Sequence, residues 1–260
     1  MSKQSSPNTT PTGRDALRQR QQAAAAAERR VGIAVRTAWI TGVAVIALLV
    51  GITAWSILGA RTSPVPGVVA GDLVAPATAT ESGAVLIGKP DAKVTVTVFL
   101  DFMCPFCGQF DRANGSDLSA AVDAGTARIE MHPMSFLDEA SSGTRYSTRA
   151  ANAFVTIANG DPAAAFTFSQ LLFANQPAEQ SAGLTDARLA ELATQAGAPA
   201  AVVATFAGQT YQPWVAKITQ QAFDSGIKGT PTVKINGQVF NGDLYSAGPL
   251  AEAIRAAANG

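Results

Sequence analysis

The sequence has 260 residues with 19 basic and 19 acidic side chains, two cysteines and one histidine. A net charge of zero argues against the strongly basic surface that binding to nucleic acid requires. One histidine and two cysteines cannot complete a four-ligand zinc site without carboxylates, so we expect no metal and no bound cofactor.

The neutral total hides an N-terminal excess of positive charge. Residues 1–36 contain seven basic and two acidic side chains, a net charge of +5, and the remaining residues carry −5. This tail is polar and has no apolar face to bury, so we expect it to be mostly disordered. Its basic side chains favour contact with anionic lipids at the cytoplasmic surface of a membrane.

An uncharged run follows at residues 37–60, TAWITGVAVIALLVGITAWSILGA. As a helix it would be roughly 36 Å long, which exceeds a hydrocarbon core of about 30 Å and predicts one transmembrane helix. Because the basic residues precede it, we expect a cytoplasmic N-terminus and an extracytoplasmic C-terminal part. A cleavable signal peptide is the alternative, and Ala54-Trp55-Ser56 would suit cleavage. Its basic and apolar regions would both be unusually long, which favours an uncleaved signal-anchor.

Residues 61–83 contain Pro64, Pro66 and Pro76 among small side chains, a composition typical of a flexible linker. The folded domain is therefore predicted at residues 84–260. A segment of this length is enough to bury a single core.

Two segments early in this domain predict strands. Residues 93–102, KVTVTVFLDF, alternate β-branched residues and then become continuously apolar, as in a strand at the middle of a sheet. Residues 126–136 predict a second strand. Residues 141–225 instead place apolar residues three and four positions apart, which predicts a block of helices.

The last part of the domain returns to strand signals at residues 230–240. There Asn236-Gly237 stands between apolar runs and predicts a two-residue hairpin turn. Residues 248–258, GPLAEAIRAAA, predict a final helix.

Both cysteines lie in one motif, Cys104-Pro105-Phe106-Cys107, between the first long strand and a predicted helix. Unpaired N–H groups and the positive end of the helix dipole would face Cys104 there and favour its thiolate. Pro105 suits the first turn of a helix, where its missing N–H costs no hydrogen bond. With a pKa near 6 instead of about 8.5, about nine in ten molecules would carry the thiolate at pH 7.

The motif predicts a redox pair in which Cys104 is the nucleophile and Cys107 resolves the mixed disulfide. A structural disulfide is less favoured, because so short a loop would stabilise the fold by only on the order of 2 kcal/mol. A copper(I) site formed by His132 and the nearby methionines is a further alternative. Alternation along a strand would send Met131 and His132 to opposite faces, which argues against it.

The order of these signals resembles the DsbA-like thiol:disulfide oxidoreductases of the thioredoxin superfamily. The resemblance rests on the strand, the motif DFMCPFC, the helical block, and the stretch Gly229-Thr230-Pro231-Thr232 before a hairpin and a helix. It covers residues 84–260 and implies an α/β thioredoxin-like fold with an inserted helical domain at about 141–225. It also implies that Pro231 is cis and that Thr230 and Pro231 contact the substrate beside the cysteine pair.

The sequence departs from this family at two positions. Phe106 stands where the most oxidising members have histidine, and it cannot donate a hydrogen bond to a thiolate, so less oxidising power is expected. Val98 stands six residues before the first cysteine, where many members have a buried acid. Asp101 is the nearest carboxylate, and capping of the following turn is the simpler interpretation of it.

Together with the predicted membrane helix, the resemblance is to membrane-anchored actinobacterial members. It implies an extracytoplasmic enzyme that introduces disulfides into unfolded or reduced exported proteins, with a membrane redox partner that reoxidises the pair. A thiol reductase or disulfide isomerase with the same residues is the first alternative. A copper-binding or scaffold protein is the second.

Overall fold

A computed structural model describes residues 73–260. The predicted cytoplasmic tail, the predicted transmembrane helix at 37–60 and most of the predicted linker lie outside these residues. Within residues 73–260, no helix is both long enough and apolar enough to cross a membrane.

Five strands form one mixed sheet in the order β1-β3-β2-β4-β5. They are β1 (Val85–Ile87), β2 (Val94–Leu100), β3 (Ala127–Pro133), β4 (Thr232–Ile235) and β5 (Gln238–Val239). The central strand β2 pairs in parallel with β3 and antiparallel with β4, and six of its seven residues are buried. Its apolar, β-branched sequence therefore matches its place at the middle of the sheet, as predicted.

The described part of the chain contains seven helices. They are α1 (Pro105–Asp123), α2 (Tyr146–Ala158), α3 (Pro162–Ala174), α4 (Asp186–Gln195), α5 (Ala200–Val203), α6 (Gln212–Asp224) and α7 (Pro249–Asn259), with short 3₁₀ turns at Asp138–Ser141 and Phe206–Gly208. α1 packs against β3 and against α7, which also contacts β2 and β4.

Helices α2 to α6 form a continuous insertion between β3 and β4, which confirms the predicted helical block. Helix α2 is buried along almost its whole length and packs against α3, α4 and α6. Helix α3 also packs against α1, so the insertion rests on the helix that begins with the cysteine motif.

The predicted hairpin joins β4 to β5. Asn236 (φ 49°) and Gly237 (φ 82°) both have the left-handed backbone that the tight turn requires and that these two residue types tolerate best. The Asn236 side chain accepts a hydrogen bond from the Thr95 N–H at 2.9 Å, which ties the turn to the start of β2.

The domain begins earlier than predicted. Ala77 donates its N–H to the side chain of Asn159 at 2.7 Å, and Ala79 forms a β-bridge with Val85. The last residues of the predicted linker 61–83 therefore pack on the domain. Their small side chains resemble a linker in composition, but backbone hydrogen bonds do not depend on side-chain type.

Candidate active site

The cysteine motif lies where β2 ends and α1 begins. Cys104 is the residue that caps the helix, with extended backbone (φ −69°, ψ 117°), and Pro105 starts the first turn. The Cys104 carbonyl accepts the Cys107 N–H at 3.0 Å and the Gly108 N–H at 3.2 Å, which closes that turn. Both cysteines are free thiols, so this is the reduced form; Cys104 is 5% exposed and Cys107 is fully buried.

Thr230 and Pro231 lie against this turn although they are more than 120 residues away in the chain. The Cys104 thiol donates to the Thr230 carbonyl at a sulfur–oxygen distance of 3.3 Å. The Thr230–Pro231 peptide bond is cis. The fold thus brings together the two motifs on which the resemblance rests.

The Thr230 side chain offers a second contact. Its hydroxyl oxygen is buried and has no hydrogen-bond partner among residues 73–260. A thiol at Cys104 uses the Thr230 carbonyl as its acceptor, whereas a thiolate needs donors. The hydroxyl, which has no partner in the thiol form, can turn to donate to that thiolate, and the Thr230 side chain lowers the pKa of Cys104.

The pKa of Cys104 is lowered to about 6. The largest cause is the hydrogen bond from the Cys107 thiol, followed by the Thr230 side chain and the N–H groups of Cys107 and Phe106, while burial acts in the opposite direction. At pH 7 about nine in ten molecules therefore carry a Cys104 thiolate. The direction is the one that the sequence argument gives, but the neighbouring thiol contributes more than the argument from the helix terminus indicated.

Cys107 shows the opposite behaviour. Burial raises its pKa well above the ordinary value, and the hydrogen bond to Cys104 and the charge on that residue raise it further. At neutral pH the pair therefore holds one thiolate, on Cys104, and one thiol, on Cys107.

Asp101 lies at the interior side of the turn and is fully buried. Its carboxylate accepts the Met103 N–H at 2.8 Å, the Leu137 N–H at 2.9 Å and the Ser147 hydroxyl at 2.7 Å. Burial raises its pKa to about 7. The bond to Met103 is the turn cap expected from the sequence. The bonds to Leu137 and Ser147 connect Asp101 to the residues after β3 and to the first turn of α2.

Val98, six residues before Cys104, is buried in β2 and places no acid beside the cysteine pair.

Phe106 points outward, with its residue 55% exposed. Its ring lies 6.0 Å from that of Tyr245, which is also exposed. Tyr245 belongs to the segment between β5 and α7, and this segment is held by Asn114 of α1, whose amide donates to the Leu244 carbonyl at 2.8 Å. Sequence reasoning missed Tyr245, because nothing local in its segment indicates that it lies beside the cysteine motif.

Gln176 is a second residue that sequence reasoning missed. It follows α3 in the helical insertion, and its side-chain amide donates to the carbonyls of Phe102 at 3.1 Å and Cys104 at 2.8 Å. No motif marks it, since the contact joins positions 72 residues apart.

The methionines and His132 do not form a comparable site. His132 stacks on Phe99 with ring centroids 4.2 Å apart, and burial with the nearby Lys234 charge lowers its pKa to about 4. Met131 packs in the main core, while Met134 packs with Phe99 in a second cluster. In residues 73–260, no group of three or more histidine, cysteine, aspartate or glutamate side chains is placed to hold a metal ion.

Three features define a thioredoxin-like fold, here with a helical insertion. They are the parallel β2–β3 pair, the Cys-Pro-Phe-Cys turn that opens the next helix, and the proline loop that lies against this turn. The Thioredoxin_4 family model, described as thioredoxin, matches residues 80–253, and the chain belongs to this family.

The domain is DsbA-like by its similarity to two proteins of this class, and it is also similar to part of a kinase. The disulfide bond formation protein D of Bacillus subtilis is 28% identical over 160 residues, covering 61% of this chain and 70% of that protein. The crystal structure of oxidised DsbA from Mycobacterium tuberculosis is 29% identical with a TM-score of 0.53, covering 70% of this chain and 97% of that one. The serine/threonine-protein kinase PknE of M. tuberculosis is 34% identical over 165 residues, covering 60% of this chain. The chain spans only 29% of the length of that kinase.

Proposed function

We propose that the chain is a membrane-anchored, extracytoplasmic thiol:disulfide oxidoreductase that introduces disulfides into exported proteins. The observation that carries this proposal is the opposite ionisation of the pair: the Cys104 pKa is lowered to about 6, and that of Cys107 is raised. A stabilised thiolate is a good leaving group, and because it exists only in the reduced form, it makes the disulfide form more oxidising.

The reaction starts from the Cys104–Cys107 disulfide. A substrate thiolate attacks the Cys104 sulfur, the bond between Cys104 and Cys107 breaks, and Cys107 leaves with the electron pair and takes up a proton. A second substrate thiolate then attacks the substrate sulfur bound to Cys104. This forms the substrate disulfide and releases the Cys104 thiolate, so two electrons have passed from the substrate to the pair.

The loop of Thr230 and Pro231 is proposed to contact the substrate chain during this exchange. The Thr230 carbonyl of this loop accepts from the Cys104 thiol, and Phe106 and Tyr245 present exposed aromatic rings at the cysteine motif. Apolar segments of an unfolded protein would bury surface against these rings.

The compartment and the partners follow from the sequence. A basic tail before the predicted span at residues 37–60 favours a single-pass anchor with a cytoplasmic N-terminus and lipid contacts on that side. The two electrons gained in each cycle must leave the pair for an oxidant, and a membrane redox partner is proposed for that role because the predicted anchor holds the domain at the membrane. A reporter enzyme that is active only in the cytoplasm, fused after Gly260, should be inactive; activity would place the domain on the cytoplasmic side.

A thiol reductase or disulfide isomerase would use the same residues in the opposite or a mixed direction. The reduction potential separates these functions, since a tenfold change in the equilibrium constant corresponds to about 30 mV. Equilibration of the purified protein with glutathione buffers should give a potential above that of the glutathione pool. A potential well below it would favour the reductase.

The oxidase activity is tested with a reduced, unfolded protein that has several cysteines. It is mixed with the oxidised wild-type protein, and the disulfides formed in it are counted by thiol labelling.

Trapping tests the division of roles between the cysteines. Cys107→Ala, joined through Cys104 in a mixed disulfide to a substrate with a single cysteine, should keep that substrate bound in an adduct that reductant dissolves, because no second thiolate is present to release it, and Cys104→Ala should form no such adduct. The reverse pattern would mean that Cys107 is the nucleophile.

A further inference from the structure

Two glutamines of the helical insertion lie over two glycines of α1. A Cβ atom added at Gly108 would collide with the side-chain oxygen of Gln176, and one added at Gly115 would be 3.2 Å from the side-chain nitrogen of Gln170. The two glycines are seven residues apart, about two helical turns, so they lie on one face of α1. The insertion therefore docks on α1 through two similar contacts at different distances from the cysteine motif.

Only the Gln176 contact reaches the cysteine motif. Its amide nitrogen donates to the carbonyls of Phe102 and Cys104, while that of Gln170 donates to the Gly115 carbonyl at 3.2 Å and the Ser119 hydroxyl at 3.1 Å. The Cys104 carbonyl also accepts the N–H groups that close the first turn of α1. Gln176 thus holds the backbone on both sides of Met103, where the chain passes from β2 into the motif.

We propose that Gln176 is a positioning residue of the redox pair, through which the helical insertion stabilises the Cys104 thiolate. The inference rests on the proposed function and extends it to a segment outside the motif. Besides the Thr230 side chain, the donors that stabilise the thiolate are the Cys107 thiol and the N–H groups of Cys107 and Phe106, and these three lie in the turn that Gln176 holds. Hydrogen bonds weaken steeply when their geometry is lost, so a looser turn stabilises the thiolate less.

The test uses the full chain in detergent micelles and compares Gln176→Ala with Gln170→Ala as the matched control. Both variants remove a glutamine contact between the insertion and α1. For Gln176→Ala we expect a higher Cys104 pKa and an equilibrium constant with glutathione that is about threefold less oxidising, or about 14 mV lower. Gln170→Ala should leave both quantities at the wild-type value. Equal shifts in the two variants, or none in Gln176→Ala, would overturn the proposal.

Gln176→Met separates hydrogen bonding from packing. It keeps the approximate length of the side chain, removes the donor nitrogen that faces two carbonyls and adds no charge. It should shift the Cys104 pKa and the potential about as far as Gln176→Ala does. A wild-type pKa and potential in Gln176→Met would mean that Gln176 acts only by filling space.

A second pair of variants decides the question if Gln176→Ala does not fold. The end of a glutamine side chain is flexible, so the methyl group added in Gly108→Ala should displace the Gln176 amide from the Phe102 and Cys104 carbonyls without any change to Gln176 itself. Alanine has a higher helix propensity than glycine, so a lower reduction potential in Gly108→Ala would not result from a less stable α1. Gly115→Ala is the control and should keep the wild-type potential. A wild-type potential in Gly108→Ala would overturn the proposal.

These measurements use glutathione and absorbance, not a protein substrate. If the wild-type protein does not oxidise reduced, unfolded proteins, the proposed function is wrong. The variants would still decide the role of Gln176.

Discussion

The two sides of the cysteine motif differ in what they offer to a sulfur atom. On the outer side, Cys104 faces the Thr230 carbonyl, the unpartnered Thr230 hydroxyl and the N–H groups of the first turn of α1. On the inner side, Cys107 is fully buried near Asp101, and burial dominates its ionisation. Two thiols three residues apart thus have pKa values shifted in opposite directions.

This difference separates burial from hydrogen bonding. Both residues are at most 5% exposed, so the loss of solvent disfavours a charge at either sulfur. At Cys104 the hydrogen bonds outweigh burial, whereas at Cys107 burial outweighs the hydrogen bonds from the Asp101 backbone and the Thr230 side chain. Four substitutions test the two sides separately.

The largest effect is expected on the inner side, at Asp101. Burial raises its pKa from the ordinary value of 3.8 to about 7, so the folded state binds its proton more tightly than the unfolded state. Its contribution to stability is complete below pH 3.8 and is lost as the pH rises through 7, at a cost of about 4 kcal/mol. Asp101→Asn cannot ionise, so the free energy of unfolding should fall less between pH 4 and pH 8 than in the wild type.

Urea unfolding of the reduced domain, residues 73–260, over this pH range measures the difference. The asparagine amide cannot accept from all three donors, which should cost about 1–3 kcal/mol at every pH. The slope against pH, and not the offset, is therefore the quantity to compare. Parallel curves for the two proteins would mean that Asp101 ionises near its ordinary pKa despite its burial.

The next effect is expected at the contact between the two sulfurs. Cys107→Ala removes the largest cause of the low Cys104 pKa, which should rise by about two units and leave about one molecule in ten as thiolate at pH 7. Cys107→Ser is the matched control, since its hydroxyl can still donate, and it should keep most of the shift. Ultraviolet absorbance of the thiolate against pH gives both values. Equal pKa values in the two variants would exclude the Cys107 donor as the cause.

A smaller effect is expected at Thr230. Thr230→Val keeps the shape of the side chain but removes the hydroxyl that can donate to the thiolate, so the Cys104 pKa should rise by about half a unit to one unit. Thr230→Ser retains a hydroxyl and should stay near the wild type. The same absorbance titration measures this pKa. If Thr230→Val titrates like the wild type, the Thr230 hydroxyl does not stabilise the thiolate and only groups of the cysteine motif do.

The smallest effect is expected at Phe106. Histidine there could place a ring N–H or a positive charge near the Cys104 thiolate, which should lower its pKa and raise the reduction potential. Because position 106 is 55% exposed, water and salt reduce the effect to about half a pKa unit, or about 15 mV. Phe106→Leu removes the ring without adding a donor and should leave the potential unchanged. A higher Cys104 pKa in Phe106→His would contradict the argument.

The parts of the fold that were predicted correctly have strong local signals. The apolar run of β2, the Asn236-Gly237 turn and the helical spacing of the insertion each depend on residues close in sequence. Strand β1 escaped prediction because three residues are too few to show an alternation. The start of the domain was placed too late because backbone hydrogen bonds from residues 77–79 leave no pattern in side-chain type.

The sequence by itself determined the redox motif, its place at a strand-to-helix junction, the second motif at Thr230 and Pro231, and the excess of positive charge before an uncharged segment. The redox motif, its junction and the charge pattern follow from residue chemistry and from spacing within a few positions, whereas Thr230 and Pro231 were indicated by the resemblance to the DsbA-like family. Only the tertiary structure decided which groups surround the two sulfurs. Asp101 becomes a buried carboxylate because Ser147 and Leu137 close over it, and Gln176 reaches Cys104 across 72 residues of chain. The pKa of a thiol depends on donors within a few ångströms in space, and the fold alone decides which residues come that close.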